Sequence, residues 1–173
     1  MGLVESAGGT AVVISYHQIS NFDFSDYQKI ILSPGPGVPN DYPLTFNWIA
    51  TYHPHKTILG ICLGHQILAN YFGLELLHQS RVVHGKRKIC IQTHASEHSI
   101  LKNLPESFKV GLYHSWFIAE PGTNHQMKCT CRSEDGQIMG LVHQNLPIEC
   151  FQFHPESYMT EFGLEMMKNW LNQ

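Results

Sequence analysis

The sequence predicts an α/β fold built on a doubly wound, mostly parallel sheet with antiparallel strands added at one side. Its first half alternates continuous apolar runs with helical stretches, and this strand–helix–strand order is the pattern of a parallel sheet. The runs lack polar alternation, which is typical of strands buried on both faces. The second half carries shorter runs, some of which alternate as antiparallel strands do.

Each element follows from its local pattern. Strands are predicted for the β-branched apolar runs at residues 10–15, 29–32 and 57–61, and helices for residues 42–52 and 64–72. In the second half, strands are predicted at residues 82–83, 87–92, 108–113, 126–132, 138–143 and 148–153. A last helix is predicted for about residues 158–171, with Phe162, Met167 and Trp170 on one side.

The N-terminus departs from this plan. Residues 3–9 have the pattern of the last turns of a helix closed by glycine. A doubly wound sheet normally opens with a strand, so the sequence predicts a sheet that lacks its first strand; the alternative is a frayed N-terminal tail. In a flavodoxin-like order the first strand lies between the second and third. Its loss would leave residues 10–15 and 29–32 either paired directly or separated by a gap.

Length and composition limit the classes of function that the sequence allows. The chain of 173 residues predicts a single domain spanning residues 1–173. A net charge of −3 argues against binding of nucleic acid, and no long apolar run predicts a membrane span. The N-terminus has no secretory signal, and the cysteine count of 5 is odd. Both features predict reduced thiols and a cytoplasmic location.

The strongest chemical signal is the segment Gly-Ile-Cys-Leu-Gly-His-Gln at residues 60–66. It follows an apolar strand and precedes a helix, so Cys62 is predicted to occupy a nucleophile elbow. Small flanking residues are needed there because the backbone of the nucleophile is strained and its neighbours are crowded. A thiol at a helix N-terminus is also favoured as the thiolate. The alternative is a buried cysteine beside a glycine turn.

A second segment supplies the base that a cysteine nucleophile needs. His154 and Glu156 follow the apolar strand at residues 148–153 and are two positions apart, so an extended backbone places both on one side. Pro155 keeps His154 out of the helical region. Glu156 can then accept a hydrogen bond from one imidazole nitrogen while the other faces the thiol. Sequence alone does not show that His154 and Cys62 meet.

A third segment, Ser-Pro-Gly-Pro-Gly at residues 33–37, also follows a strand. A rigid loop with glycines can direct an N–H group at an oxyanion, and the N–H of Leu63 would be its partner. As an isolated motif it equally fits a simple turn. Cys129 and Cys131 with His125 raise the possibility of a metal site, but no second cysteine pair accompanies them, so no metal site is predicted.

Together these segments resemble the class I (triad-type) glutamine amidotransferases. They are most similar to the small glutaminase subunits of anthranilate synthase and aminodeoxychorismate synthase. The matching motifs cover roughly residues 3–173 in family order and are highly specific in combination: Leu-Ser-Pro-Gly-Pro-Gly (32–37), the elbow (60–66), Val-His-Gly-Lys (83–86), Tyr-His-Ser (113–115) and Phe-Gln-Phe-His-Pro-Glu-Ser (151–157).

The resemblance implies a flavodoxin-like amidotransferase fold and hydrolysis of L-glutamine through a thioester on Cys62. His154 would be the base and Glu156 its orienting carboxylate. Ammonia would pass to a larger, chorismate-using synthase subunit in a hetero-oligomer, and no cofactor is needed. The other implied roles are oxyanion N–H groups from Gly35 and Leu63, a glutamine pocket lined by Gly37, Gln66, Ser115 and Trp116, and a partner interface at His84, Gly85 and Lys86.

One departure from the family matters. The family opens with a strand and an Asp-Ser-Phe-Thr-type turn, and this chain has neither. The resemblance therefore implies an N-terminally truncated, marginally stable monomer. Two other functions stay open: a catalytically weak binding or scaffold subunit of the same complex, and another hydrolase with a Cys-His-Glu arrangement. The product, anthranilate, aminodeoxychorismate or both, is also open.

Overall fold

One mixed sheet organises the molecule. The computed structural model describes the backbone of residues 1–173 and the side chains of all residues except 80–84 and 98. In this described chain the sheet has seven strands in the order β1-β2-β7-β6-β5-β3-β4. The strands are β1 (Lys29–Leu32), β2 (Thr57–Ile61), β3 (Leu76–Gln92), β4 (Ser107–Ile118), β5 (Met127–Ser133), β6 (Ile138–His143) and β7 (Ile148–Phe151).

The sheet divides into a parallel part and an antiparallel part. Strands β1, β2 and β7 are parallel neighbours, and β7, β6, β5, β3 and β4 follow one another antiparallel. The predicted α/β architecture with antiparallel strands at one side is therefore confirmed. The predicted bounds of β1, β2 and β6 match those of the structure. The runs predicted at 82–83 and 87–92 belong to a single long strand, β3.

Helices cover both faces of this sheet. They are α1 (Gly2–Ser6), α2 (Pro43–Tyr52), α3 (Leu63–Tyr71) and α4 (Gly163–Leu171). The helices predicted at 42–52 and 64–72 are confirmed to within one residue. The last helix begins later than predicted because Phe162 adopts a left-handed conformation, with φ of 62°, which interrupts a helix. Within the described chain, no helix is both long and apolar enough to cross a membrane.

The strands of the parallel part contribute to two apolar cores. Leu59 and Ile61 pack with α1 and α4 on one face, whereas Ile58 packs with α2 and α3 on the other. Successive side chains of a strand point to opposite faces, so one continuous apolar run supplies both cores. This is why β2 carries no polar alternation.

The strand predicted at residues 10–15 is wrong. Within the part of the chain that the structure describes, this segment pairs with no strand, and Val12 and Val13 are 57% and 72% exposed. Among the described strands, β1 lies at the edge of the sheet and has β2 as its one neighbour. A cavity of about 530 Å³, lined by both residues 10–15 and β1, separates the two segments. An extended run without a neighbour to exchange backbone hydrogen bonds is not a strand. The expectation that a strand is missing ahead of residue 10 stays a prediction.

A buried carboxyl group lies on β7, the strand that leads to His154. Glu149 is 3% exposed, and its carboxylate accepts hydrogen bonds from the Ser99 hydroxyl and, at 3.0 Å, from the Ile100 N–H. Burial raises the pKa of Glu149 to about 7, although both hydrogen bonds act in the opposite direction. The ionised form of this side chain is therefore disfavoured in the folded protein.

This carboxyl group predicts a pH-dependent stability. Its pKa is higher in the folded chain than the ordinary value of 4.5, so folding binds a proton and stability falls as pH rises from about 4.5 to 7. Glu149→Gln cannot ionise. Its free energy of unfolding relative to the native protein should therefore rise by up to about 3 kcal/mol between pH 5 and pH 8. Urea unfolding at both pH values measures this, with exposed Glu165→Gln as the control; an unchanged difference would contradict it.

Candidate active site

The three predicted motifs meet at one edge of the sheet. Leu32, the last residue of β1, pairs with Gly60 of β2, and Ile61 of β2 pairs with Phe151 of β7. The loop at 33–37, Cys62 and His154 therefore follow three adjacent parallel strands at their carboxyl ends. This edge is where open α/β sheets bind ligands. The structure thus brings together the thiol and the imidazole, which the sequence left apart.

Cys62 lies on a sharp turn between β2 and α3. Its φ of 53° and ψ of −101° are unusual for a non-glycine residue. The Cys62 N–H donates to the Phe151 carbonyl at 2.8 Å, which ties the turn to the neighbouring strand. The side chain is 8% exposed. The sharp strand-to-helix turn predicted at Cys62 is present, and its backbone is strained in the way that clusters at active sites.

The glycines on each side of Cys62 are required by close backbone approach. A Cβ atom on Gly64 would overlap the Leu32 carbonyl oxygen, and one on Gly60 would lie 2.6 Å from the Gly64 carbonyl oxygen. Neither backbone atom can move away without disturbing β1 or α3. The first turn of α3 therefore rests directly on the strand ends.

His154 and Glu156 form an oriented pair. The Nδ1 atom of His154 lies 2.7 Å from Oε1 of Glu156 and donates to it. The Nε2 atom is buried and has no hydrogen-bond partner among the described side chains. The His154 N–H donates to the Gly111 carbonyl at 3.2 Å, and the Tyr113 ring packs edge-on against the imidazole at 4.9 Å. The hydrogen bond to Glu156 is the contact that the two-residue spacing predicts, and the backbone bond and the Tyr113 ring further restrict His154.

The electrostatics of this pair favour the charged imidazole. Burial lowers the pKa of His154, but Cys62 and Glu156 outweigh it and raise the pKa to about 9. Burial raises the pKa of Glu156, but the hydrogen bond and charge of His154 bring it below its usual value. Near neutral pH the arrangement holds an imidazolium between a carboxylate and the Cys62 sulfur, and this geometry suits proton transfer to and from that sulfur.

Two further predicted residues lie beside the elbow. Leu63 is the first residue of α3, so its N–H has no acceptor within the helix. Gly35 lies against the Leu63 side chain, since a Cβ on Gly35 would be 2.9 Å from Leu63 Cδ2. The two residues predicted to stabilise an oxyanion are thus neighbours. Gly37 lies farther along the same loop, next to Asp41.

The remaining predicted pocket residues lie where α3 meets β4. The Nε2 atom of Gln66 donates to the Trp116 carbonyl at 3.3 Å, and Ser115 is the half-buried residue before Trp116 on β4. The structure therefore brings Gln66 and Trp116 into contact one turn of helix from Cys62, with Ser115 next to Trp116 in the chain.

Sequence reasoning missed Gln152. It lies within the motif at 151–157, where no role was predicted for it, yet it is fully buried and its Nε2 donates to Cys62 Sγ at 3.7 Å. Its Oε1 accepts from Gln66 Nε2 at 3.1 Å. A usable signal existed, because Gln152 and His154 are two positions apart and so share one side of an extended segment.

Comparison with known proteins identifies the family. Residues 4–173 match the sequence profile of the family described as glutamine amidotransferase class-I. The chain belongs to this family. It is 37% identical over 160 residues to a Haemophilus influenzae protein provisionally named anthranilate synthase component II, covering 92% of this chain and 81% of that one.

Other relatives point to the same branch of the amidotransferases. The chain is 34% identical over 155 residues to aminodeoxychorismate synthase component 2 of Escherichia coli, covering 90% and 81% of the two chains. A solved structure from Thermoplasma acidophilum, provisionally described as one of the subunits of GMP synthase, superposes with a TM-score of 0.85. It shares 22% identity and covers 99% of this chain and 84% of its own, which supports the fold alone.

The segment predicted to face a partner subunit, residues 84–86, lies on β3. The His84 side chain is outside the described residues, and Gly85 and Lys86 are exposed. Gly85 has φ of 64° at an irregularity in the β3–β4 pairing. A Cβ on Gly85 would lie 3.9 Å from the Tyr113 ring, the ring that contacts His154. The exposed bulge is therefore separated from the imidazole by one side chain.

Proposed function

We propose that this chain hydrolyses L-glutamine to glutamate and ammonia, and that the ammonia is consumed by a chorismate-using synthase subunit. The observation that carries the proposal is the placement of the Cys62 turn and the Glu156-oriented His154 at the carboxyl ends of adjacent parallel strands. The family match and the names of the relatives support glutamine as the substrate and chorismate chemistry for the partner.

The first half of the reaction forms a thioester. His154 holds the proton of the Cys62 thiol, and the sulfur attacks the side-chain amide carbon of glutamine. The N–H groups of Gly35 and Leu63 stabilise the resulting oxyanion, and a donor of this kind is typically worth about 3–4 kcal/mol of barrier. His154 then gives its proton to the amide nitrogen, and the carbon–nitrogen bond breaks to release ammonia.

The second half regenerates the enzyme. His154, now neutral, accepts a proton from water as the water oxygen attacks the thioester carbon. The carbon–sulfur bond breaks, the sulfur recovers a proton, and glutamate leaves. Glu156 holds the imidazole in one orientation through both halves. Gly37, Gln66, Ser115 and Trp116 bind the substrate.

One domain carries this whole reaction in the proposal. The described strands between residues 29 and 151 form a single sheet, and both apolar cores pack against it. The cysteines at 62, 90, 129, 131 and 150 are all free thiols, which supports a reducing, cytoplasmic location.

The decisive test measures glutamate release from the purified chain, alone and with a chorismate-using synthase subunit of the same organism. Glutamine should be hydrolysed, faster with the partner present, whereas asparagine, simple amides and peptides should not. Turnover of peptides in preference to glutamine would contradict the proposal and favour a different hydrolase. No turnover of any amide, with synthase bound, would favour a scaffold subunit.

Charge reversal at the exposed bulge should weaken assembly. Lys86→Glu is expected to raise the Kd for the synthase subunit by about ten-fold, mainly through slower association. Alkylation of Cys62 by a glutamine analogue should stay unchanged, because Lys86 is exposed and has no part in the triad. Surface plasmon resonance measures the Kd, with the exposed Lys168→Glu on α4 as the matched control. Equal affinities for both variants would assign the interface to another surface.

A further inference from the structure

We infer that Gln152 positions the sulfur of Cys62 and presents a hydrogen-bond donor to it. This inference rests on the proposed function of that sulfur as the nucleophile. The Gln152 side chain is fully buried, and both ends of its amide are paired. One end lies at the reacting atom and the other at a residue of the proposed glutamine pocket.

The direction of this amide follows from a backbone carbonyl. The Trp116 carbonyl oxygen can only accept, so the Gln66 amide must present its NH₂ group there, at 3.3 Å. The same NH₂ group faces Gln152, which must therefore present its Oε1, at 3.1 Å. The Nε2 of Gln152 is then left to face Cys62 Sγ, at 3.7 Å. The donor at the sulfur is thus set by the backbone of β4.

Two consequences follow for the chemistry. A donor at Sγ stabilises the ionised sulfur relative to the thiol, because hydrogen bonds to the charged form favour that form. The NH₂ group of Gln66 is committed to Trp116 and Gln152, so its Oε1 is the atom left to accept from a substrate donor. An amide or ammonium group of glutamine supplies such a donor.

Substitutions that keep the shape of Gln152 but change its donor separate this role from packing. Gln152→Glu places a carboxylate oxygen beside the sulfur, and Gln152→Met removes the donor. The rate of Cys62 alkylation by iodoacetamide is measured from pH 5 to pH 10. The pH of half-maximal rate should rise by about one unit or more in Gln152→Glu and by about half as much in Gln152→Met. Gln137→Met, ahead of β6, is the control and should match the native protein.

Steady-state kinetics give a second readout. Gln152→Glu still offers an oxygen to Gln66, so KM for glutamine should stay within about two-fold while kcat falls by about ten-fold or more. Variants with native melting temperatures and unchanged alkylation midpoints would overturn the inference and leave Gln152 a packing residue. If Gln152→Glu fails to fold, the Gln152→Met midpoint decides. Iodoacetamide needs no glutaminase activity, so absence of glutamine hydrolysis by the native chain contradicts the proposed function alone.

Discussion

Cys62→Ala is expected to abolish glutamine-dependent synthesis by the assembled complex while leaving ammonia-dependent synthesis intact. Without the sulfur no thioester can form, and the amide bond of glutamine stays unbroken. Free ammonia needs no thioester, so the partner should still use it when ammonium salts are supplied. The elbow itself should survive, because the Cys62 N–H bond to the Phe151 carbonyl does not involve the side chain. Product formation is followed with glutamine and with ammonium as alternative nitrogen sources.

A matched control shows that the effect belongs to one thiol. Cys129 is half-buried on β5, and its sulfur donates to the Cys131 carbonyl, away from the elbow. Cys129→Ala should therefore retain glutamine-dependent activity. Normal glutamine turnover by Cys62→Ala would remove this cysteine from the mechanism. Loss of both activities in Cys62→Ala would instead show a folding or assembly defect.

Strands could be predicted where the apolar pattern of a segment reflects the burial of its own side chains. Residues 57–61 are apolar because both faces of β2 are covered, residues 29–32 are half-buried on the edge strand β1, and the bounds of both strands were predicted correctly. Residues 10–15 carry the same pattern and form no strand. A strand forms only where a neighbouring strand is available, and a local sequence pattern does not show whether one is. In the described chain β1 pairs with β2 and not with residues 10–15.

The site was predictable residue by residue but not as an assembly. Glycine spacing predicted the elbow, and the two-residue spacing of His154 and Glu156 predicted their hydrogen bond, which the structure confirms at 2.7 Å. His154 lies close to Cys62 because β2 and β7 are neighbours in the sheet. That strand order cannot be inferred from the pattern of either segment. The spacing of Gln152 and His154 could have placed Gln152 beside the site, but the direction of its amide is fixed by the Trp116 carbonyl of β4, which no local pattern reveals.

Removal of the base should cost more than removal of its orienting carboxylate. His154→Ala leaves the Cys62 sulfur without a proton acceptor and the departing ammonia without a donor. We expect kcat for glutamine to fall by about 10²–10⁴-fold. In Glu156→Ala the imidazole should stay near its place, because the His154 backbone N–H still donates to the Gly111 carbonyl and the Tyr113 ring still packs against the imidazole. Its kcat should fall by a smaller factor. Steady-state glutaminase kinetics with the partner present measure both, with His55→Ala, an exposed histidine, as the control.

The pH profile of a third variant tests how Glu156 acts. Interactions with Cys62 and Glu156 raise the pKa of His154 to about 9, so the imidazolium persists well above neutral pH. Glu156→Gln removes the negative charge and should lower this pKa, which moves the alkaline limb of the kcat/KM profile to lower pH. An unmoved alkaline limb would show that Glu156 does not set the charge of His154. A larger loss of kcat from Glu156→Ala than from His154→Ala would mean that the roles of the two residues are wrongly assigned.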